Sequence, residues 1–501
     1  MRRAAGPFAL ALLIACVVRL AFPFDGLYGQ DAFAYFRFAR AIVPHLRTGA
    51  PLPVLYWPRG YPAAVAALLP LSAGGPVAGQ LVSALACAWT AAATFLLARE
   101  LQPRGDPDGW IAPAVAGLCA GASGIALRAG QVVMADGLAI GLAATALWCA
   151  ARVVRTGRAA WLVPCGMAAA WGAVTRWQIG VIVIPIGVAL IAAKRRPDAG
   201  AQVWWMAALA AAALIVVPQL VAARAVPAAL GQHEWLQRWN PVNALGRDFQ
   251  TTEGHARYHF PVGLFYLLRL GWPDALFPTV AVLALFGAAT IWRARDWPAA
   301  ALLLGWPAAT WVLISGIPYE NPRFIWPALP SIAALAGYGF RELSRRASRG
   351  RRTALAVGLG ASLAAGLCFA AREHARTVRG KNADRAVVAW VDATVPPGST
   401  VWRAGGTLTA EAYGSTPIRD VYRSTPADIP ALLDAWCPCY YLEQRDDIEK
   451  QWAGLPPQAF FEALRRDPGL TAVASRPPFV LYRISRSPSR TINRSPSRTL
   501  P

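Results

Sequence analysis

The sequence predicts a polytopic α-helical membrane protein with about eleven spans and a small α/β domain near its C-terminal end. Of its 501 residues, 56% are hydrophobic and only 15% are charged, and the mean hydropathy is positive at +0.36. A soluble core cannot bury this much apolar surface, so most of it must face lipid. From about Arg372 onward the composition changes to that of a soluble domain.

Eleven apolar runs are candidate spans. The first, Pro7 to Phe24, follows Arg2 and Arg3 and lacks a small-residue cleavage site, so we expect an uncleaved span rather than a signal peptide. Residues 62–71 are too few to cross a hydrocarbon core of about 30 Å, which predicts a re-entrant or interfacial piece. The other runs are 77–98, 111–127, 135–151, 159–174, 179–193, 202–223, 274–292, 299–317, 324–340 and 354–371.

Positive charge alternates along the loops between these runs. With a cytoplasmic N-terminus, the inner segments hold 18 Lys and Arg in 52 residues, whereas the outer loops hold 11 in 118. The positive-inside rule therefore predicts a cytoplasmic N-terminus, and the odd span count places the C-terminal domain outside the cytoplasm. The expected localisation is the inner (plasma) membrane, which the chain crosses several times. The net charge of +22 is explained by the Lys and Arg of the cytoplasmic loops and by their contact with anionic lipids, so it does not indicate nucleic-acid binding.

The predicted domains are a transmembrane domain at 1–371, an extracytoplasmic α/β domain at 372–485 and a disordered basic tail at 486–501, in which an Arg-Ser-Pro-Ser-Arg-Thr stretch occurs twice. Cys437 and Cys439 lie in the α/β domain, and the sequence leaves their oxidation state open. The predicted strands of this domain are 387–391, 400–403, 419–422, 439–442, 470–474 and 479–484, and the predicted helices are 409–413, 426–436 and 457–466.

Two carboxylates stand at the predicted outer ends of spans. Asp31 begins residues 31–44, whose apolar stripe predicts an amphipathic helix along the outer membrane surface. Asp136 lies at the start of the fourth span, after a short outer loop. An Asp at a helix start also satisfies free backbone N–H groups, so a capping role is an equally simple interpretation of both.

Two further outer segments combine aromatic residues with an arginine. One is Tyr56-Trp57-Pro58-Arg59-Gly60-Tyr61-Pro62, and the other runs from Pro318 to Pro330 and contains Glu320 and Arg323. A guanidinium here can neutralise a phosphate, or it can extend to lipid headgroups. Arg176, at a hairpin tip, and Arg269, before the eighth span, are weaker candidates.

The two acidic loops, the Trp-Pro-Arg-Gly-Tyr-Pro stretch and the Arg323 segment together resemble the polyprenyl-phosphate-sugar-dependent glycosyltransferases of the GT-C superfamily. The similarity covers roughly residues 7–340 and points to the family 39 protein mannosyltransferases and the aminoarabinose transferases. Related transferases often carry a Lys-Pro-Pro stretch where Arg59 follows Pro58 here, so the match at this position is incomplete.

This resemblance implies a membrane glycosyltransferase that moves a hexose-like or pentose-like sugar from a polyprenyl-phosphate donor to a lipid, glycan or protein acceptor on the outer face of the inner membrane. Asp31 would take the acceptor proton, and Asp136 would orient the acceptor or a metal. Whether a divalent cation takes part stays open. The donor phosphate would bind Arg59 and Arg323, and the substrate would contact Tyr35, Trp57, Tyr61 and Glu320.

Two other classes of protein fit part of the pattern. A transporter would also have many spans, but we then expect polar residues at mid-membrane depth, whereas the charges here gather at the outer rim. A non-catalytic envelope scaffold would leave Asp31 and Asp136 as helix caps. Convergence of Asp31, Asp136, Arg59 and Arg323 on one cavity would separate the enzyme from both.

Overall fold

The computed structural model describes residues 2–55, 57–102, 109–193, 200–224, 238–251 and 254–485, and the predicted tail at 486–501 lies outside them. Two compact units form: one contains the described parts of Met1–Arg247 and Tyr258–Arg379, and the other contains the described parts of Asp248–Arg257 and Gly380–Pro501.

The first unit is helical. Its helices are α1 (Ala5–Ala21), α2 (Gly29–Thr48), α3 (Gly60–Leu68), α4 (Val77–Glu100), α5 (Ile111–Gly121), α6 (Gly124–Gln131), α7 (Ala135–Thr156), α8 (Leu162–Thr175), α9 (Val183–Ile191), α10 (Ala201–Arg224), α11 (Val262–Arg269), α12 (Pro278–Arg293), α13 (Trp297–Ser315), α14 (Leu329–Arg346) and α15 (Arg349–Thr394), the last of which continues into the second unit.

A helix stands at each of the eleven predicted spans, and the amphipathic segment after Asp31 is helical as predicted. Within the described residues, five helices are long and apolar enough to cross a membrane, or six if α5 and α6, bent by 46°, form one span. Several further apolar helices, including α1, α8 and α12, are shorter. The helical membrane architecture is therefore present, and the count of eleven stays a prediction.

Burial divides the long helices into central and peripheral ones. The apolar windows of α4 and α7 are 78% buried inside the protein, whereas those of α10 and α15 are only 11% and 22% buried. Alanine and glycine on α4 and α7 allow their backbones to approach closely, and a Cβ at Gly141 would lie 3.0 Å from the carbonyl oxygen of Ala86. Peripheral helices keep their leucines and valines outward, which suits contact with lipid.

The second unit is α/β, as predicted. A two-stranded hairpin, β1 (Asp248–Thr251) and β2 (Gly254–Arg257), belongs to it together with a five-stranded sheet in the order β4-β3-β5-β7-β6. Helices pack on the sheet, and apolar side chains are buried on both of its faces. The remaining elements are β3 (Thr400–Arg403), α16 (Thr407–Tyr413), β4 (Ile418–Asp420), α17 (Ile429–Trp436), β5 (Cys439–Gln444), α18 (Pro456–Arg465), β6 (Leu470–Arg476) and β7 (Phe479–Ile484).

One predicted strand is wrong. Residues 387–391 belong to α15, which runs without a break to Thr394. Val387 and Val391 are one helical turn apart, and both are buried in an apolar cluster with Val401 and Leu481. The β-branched residues favour a strand locally, but this packing overrides that preference. Cys437 and Cys439 form a disulfide.

The contact between α12 and α14 depends on two glycines. A Cβ at Gly287 would overlap the carbonyl oxygen of Leu335, and a Cβ at Gly339 would overlap that of Leu283. Each glycine thus faces the turn that precedes the other, so the two backbones touch directly. This packing holds α14, which follows the Arg323 segment in the chain, against the helix bundle.

We therefore predict that Gly287→Ala lowers the thermal unfolding temperature in detergent, because a single methyl group forces the two helices apart at a cost of about 1–3 kcal/mol. The matched control is Gly358→Ala in α15, where a Cβ meets nothing within 4 Å. The control should unfold at or slightly above the unmodified temperature. Equal unfolding temperatures for the two variants would contradict the close contact.

Candidate active site

Asp31 lies in the first turn of α2, one quarter exposed. The helix begins at Gly29 and its N-cap residue is Tyr28, so the prediction that Asp31 is the first residue or the cap is wrong. Buried Ala32, Tyr35 and Ala39 fix one face of α2 against the protein. The Asp31 carboxylate is thus held at the start of an anchored helix while it keeps access to solvent.

Asp136 is the second residue of α7, whose N-cap is Met134. Its side chain is only 2% exposed. A buried carboxylate is costly unless cations pair with it, and the capping interpretation does not supply them. Its partners are found instead among arginines from distant parts of the chain.

Arg323 joins the two carboxylates. Its Nη2 lies 3.2 Å from Oδ2 of Asp31, and its Nη1 lies 3.5 Å from Oδ2 of Asp136. On its other oxygen, Asp136 pairs with Arg176. Two carboxylates and two guanidiniums therefore form one cluster, which we call the Arg323 cluster: Asp31, Asp136, Arg176 and Arg323.

The loop before Arg323 is fixed by hydrogen bonds. Asn321 accepts from the backbone N–H of Arg323 at 3.1 Å through its side-chain oxygen. The hydroxyl of Tyr266, from α11, donates to the carbonyl of Tyr319 at 2.9 Å and accepts from the N–H of Asn321 at 3.2 Å. Because these hydrogen bonds fix the backbone at Tyr319, Asn321 and Arg323, the Arg323 guanidinium is positioned before any substrate arrives.

Arg176 is more central than the sequence suggested. Its guanidinium lies 5.2 Å from the ring centroid of Phe324, and the neighbouring Gln178 donates to the Phe324 carbonyl at 2.9 Å. Burial, together with the positive charge of Arg323, lowers the pKa of Arg176 to about 10, so it stays protonated at neutral pH. The polar tip at 175–178 between two apolar runs was the sequence feature that could have ranked it higher.

The tyrosines predicted to bind substrate are buried in this structure. Tyr35 packs edge-on against Tyr61, with ring centroids 5.4 Å apart. The Tyr61 hydroxyl lies 2.9 Å both from the carbonyl oxygen of Gly79 and from the Ser83 hydroxyl. Tyr35 lies one helical turn after Asp31 on α2, and direct substrate contact by either ring stays a prediction.

Arg59 is not among the residues whose described contacts form the Arg323 cluster. Its backbone N–H donates to Gln219 at 3.0 Å, and its guanidinium lies 5.1 Å from the ring centroid of Phe38. Phe38 is about two helical turns beyond Asp31 on α2, or roughly 10 Å. Arg59 therefore borders α2 farther along its length, and Trp57 is half-buried.

Glu320 lies next to the fixed Asn321 and is half-buried. Its Oε1 is buried and has no hydrogen-bond partner among the described residues. This burial raises the pKa of the Glu320 carboxyl to about 7.

Arg269, the other weak candidate, forms an ion pair with Asp274 through two hydrogen bonds of 2.7 Å each.

The residues present do not fit a divalent cation. Two guanidiniums already neutralise Asp31 and Asp136, and the part of the chain that the structure describes holds no group of three or more His, Cys, Asp or Glu side chains arranged as metal ligands. A hard cation requires several oxygen ligands. We derive no step through a metal.

Comparisons with known proteins agree on the fold. No family model matches the chain, and no curated protein sequence matches it significantly. Apo ArnT from Cupriavidus metallidurans superposes with a TM-score of 0.64 at 17% identity, covering 96% of this chain and 98% of that chain. ArnT bound to undecaprenyl phosphate gives 0.64 at 16% identity, covering 95% and 97%.

The archaeal oligosaccharyltransferase AglB from Archaeoglobus fulgidus, in complex with an inhibitory peptide and a dolichol-phosphate, superposes with a TM-score of 0.58 at 12% identity, covering 97% of this chain and 75% of that chain. ArnT, an aminoarabinose transferase, and AglB are both GT-C glycosyltransferases. This chain has the GT-C membrane fold, so the resemblance predicted from its outer loops is confirmed at the level of the fold. Its match to ArnT extends over nearly the whole of both chains.

Because Asp136 is buried, we expect the stability of the protein to depend on its arginine partners. Arg176→Gln should destabilise the protein by about 3–5 kcal/mol, because it removes a partner from a buried carboxylate. Adding Asp136→Asn should recover a large part of that loss, since the uncompensated charge is then gone. Chemical unfolding of the two single variants and the double variant, compared as a double-mutant cycle, measures the coupling. Additive losses would show that the two side chains do not interact.

Proposed function

We propose that the protein is a membrane glycosyltransferase that moves a sugar from a polyprenyl-phosphate donor to a hydroxyl or amine of a lipid, glycan or protein acceptor. The observation that carries the proposal is Arg323, whose guanidinium contacts both Asp31 and Asp136 on a GT-C fold. A cation that can bind phosphate thus lies beside a carboxylate that can take a proton.

In the proposed reaction, the Asp31 carboxylate takes the proton of the acceptor O–H or N–H. The acceptor atom then forms a bond to the anomeric carbon of the sugar. The bond between that carbon and the phosphate oxygen breaks, and polyprenyl phosphate leaves with the electron pair. The phosphate is already a good leaving group, so it requires neutralisation by Arg323 rather than a proton.

Donor binding would also release the base. Without donor, Arg323 is shared between Asp31 and Asp136. A donor phosphate that pairs with this guanidinium competes with the more exposed of the two carboxylates, Asp31, and leaves it available to the acceptor. Asp136 keeps its pair with Arg176 and stays in place. Arg59 is proposed to contribute to the donor phosphate from its position over Phe38.

We further propose that this chemistry faces the outer side of the inner membrane, with Asp31, Asp136 and Arg323 on the same side as the C-terminal α/β domain. The Lys and Arg distribution supports this orientation. Mass spectrometry of cell-envelope lipids and glycans, with and without this chain, identifies the sugar and the acceptor by the mass that is gained or lost.

The scaffold alternative is weakened by the geometry. It required Asp31 and Asp136 to be helix caps, but the N-cap positions belong to Tyr28 and Met134. The transporter alternative gains no support either, since the Arg323 cluster lies at helix ends and loops rather than in the middle of a long helix.

Asp31→Asn should lower turnover by roughly 100-fold or more, because the amide cannot accept the acceptor proton. The variant should still insert and bind undecaprenyl phosphate, since Asn keeps the volume of the side chain. Turnover of the sugar donor and retention of undecaprenyl phosphate are measured on the same purified sample.

Glu320 is the rival base, and Glu320→Gln is the matched control. A base with a pKa of about 7 is half ionised at that pH and mostly ionised above it, so turnover that depends on Glu320 would rise as the pH passes through 7. If Asp31→Asn keeps normal turnover while Glu320→Gln removes such a rise, the base is Glu320 and the assignment of Asp31 is wrong.

Arg323→Ala should weaken the use of the donor lipid by about 10- to 100-fold, because it removes a charge-assisted contact to phosphate. Arg59→Ala should have a smaller effect in the same direction, and Arg238→Ala, outside the Arg323 cluster, should have little. The apparent KM for the donor is the measurement. Unchanged KM values in both the Arg323 and Arg59 variants would remove these residues from the donor site.

A further inference from the structure

A groove of about 600 Å³ lies between α12, α14 and α15 in the first unit. Its walls are mostly apolar. Two arginines, Arg346 and Arg351, line it where α14 ends and α15 begins. The apolar lining includes Leu283, Phe340, Leu343, Leu355 and Leu359.

The groove is long enough for part of a hydrocarbon chain. From Arg351 to Ser362 along α15 the distance is about 16 Å at the helical rise of 1.5 Å per residue. Ser362 lines the groove too, and its hydroxyl lies 2.9 Å from that of Thr279 on α12. The arginines therefore mark one end, and this hydrogen-bonded pair lies toward the other end, with leucines between them.

This groove is separate from the Arg323 cluster. Helix α14 begins at Leu329, shortly after Arg323, and ends at Arg346. That length corresponds to about 26 Å, close to the thickness of a bilayer core. The two arginines of the groove thus stand near the opposite membrane surface, which the Lys and Arg distribution predicts to be cytoplasmic.

The positive charge beside the groove favours an anionic ligand. Residues 341–352 contain six arginines and one acidic residue, Glu342. Glu342 pairs with Arg346 at 2.6 Å, and the Arg346 side chain is 69% exposed. Because Glu342 is the only acidic residue among six arginines, the segment keeps a large positive excess. An apolar groove that opens beside such a segment at the level of the headgroups complements a lipid that carries a negative charge.

We propose that this groove binds an anionic phospholipid, with its phosphate at Arg346 and Arg351 and one acyl chain along the leucines. The site is distinct from the proposed donor site and does not depend on the transferase reaction. The occupant is a lipid rather than free phosphate, because most of the lining is apolar.

The test uses the full chain purified in detergent and offered phosphatidylglycerol or phosphatidylcholine with identical acyl chains. Bound lipid is counted by native mass spectrometry, and thermal unfolding is measured in parallel. Phosphatidylglycerol should be retained and should raise the unfolding temperature, whereas phosphatidylcholine and inorganic phosphate should do neither. Equal retention of the two lipids, or equal protection by inorganic phosphate, would overturn the proposal.

Three variants locate the site. Arg346→Gln with Arg351→Gln should weaken phosphatidylglycerol binding by about 30-fold, as expected for two arginines at a lipid surface. The matched control, Arg345→Gln with Arg349→Gln, removes the same charge from exposed positions outside the lining and should weaken binding much less. An equal loss in both pairs would reduce the effect to general surface charge and overturn a specific site.

Gly358→Leu tests the acyl-chain part without changing any charge. Gly358 lines the groove, and a Cβ there meets nothing within 4 Å, so the larger side chain enters open space. This variant should unfold normally without lipid and should lose the stabilisation by phosphatidylglycerol. Full stabilisation in Gly358→Leu would show that the lipid lies elsewhere.

Discussion

The guanidinium of Arg323 connects segments that are far apart in the chain. It is 292 residues from Asp31 and 187 residues from Asp136, and it contacts both carboxylates. The start of α2, the start of α7 and the loop before α14 meet at this one side chain. Without it, Asp136 would lose one of its two cations and Asp31 would lose its observed partner, so the geometry of the candidate site depends on this interaction.

The two carboxylates that share Arg323 differ in burial, so they differ in how strongly each depends on that arginine. Asp136 is 2% exposed and Asp31 is 25% exposed. The buried Asp136 depends on its arginines because water cannot replace them, whereas the more exposed Asp31 can exchange a guanidinium for solvent at lower cost. One arginine thus binds one carboxylate that is fixed by burial and one that stays accessible to solvent.

Helix α14 connects the Arg323 loop with the groove described above. It begins just after the loop that holds Arg323 and ends at the arginines that line the groove between α12, α14 and α15. Along its length, Gly337 and Gly339 leave no room for a side chain against Ala112 and Leu283. Such direct backbone contact restricts sliding, so α14 fixes the position of the segment that precedes it. Peripheral α15 has few such contacts in its apolar window, which leaves space for lipid beside it.

The sequence by itself determined the class of architecture and much of the secondary structure. Apolar runs of the correct length predicted helices at each candidate span, and a short run of apolar and aromatic residues predicted the strand at Phe479–Ile484 with its observed bounds. These features depend on local composition and periodicity, which a single chain displays directly. Asp31, Asp136 and Arg323 were singled out because the loops that contain them resemble outer-loop motifs of the GT-C superfamily, since a charge at the end of an apolar run is common and carries little information alone.

Only the tertiary structure decided which of these residues meet. It brought Arg176 to Asp136, placed Arg59 over Phe38, and converted the valines at 387–391 from a predicted strand into a buried helix face. It also placed the hairpin at 248–257 in the second unit, which no local pattern indicated. Each outcome depends on contacts between residues tens to hundreds of positions apart. Local preferences are worth about 1 kcal/mol or less per residue, so packing and charge pairing over such separations override them.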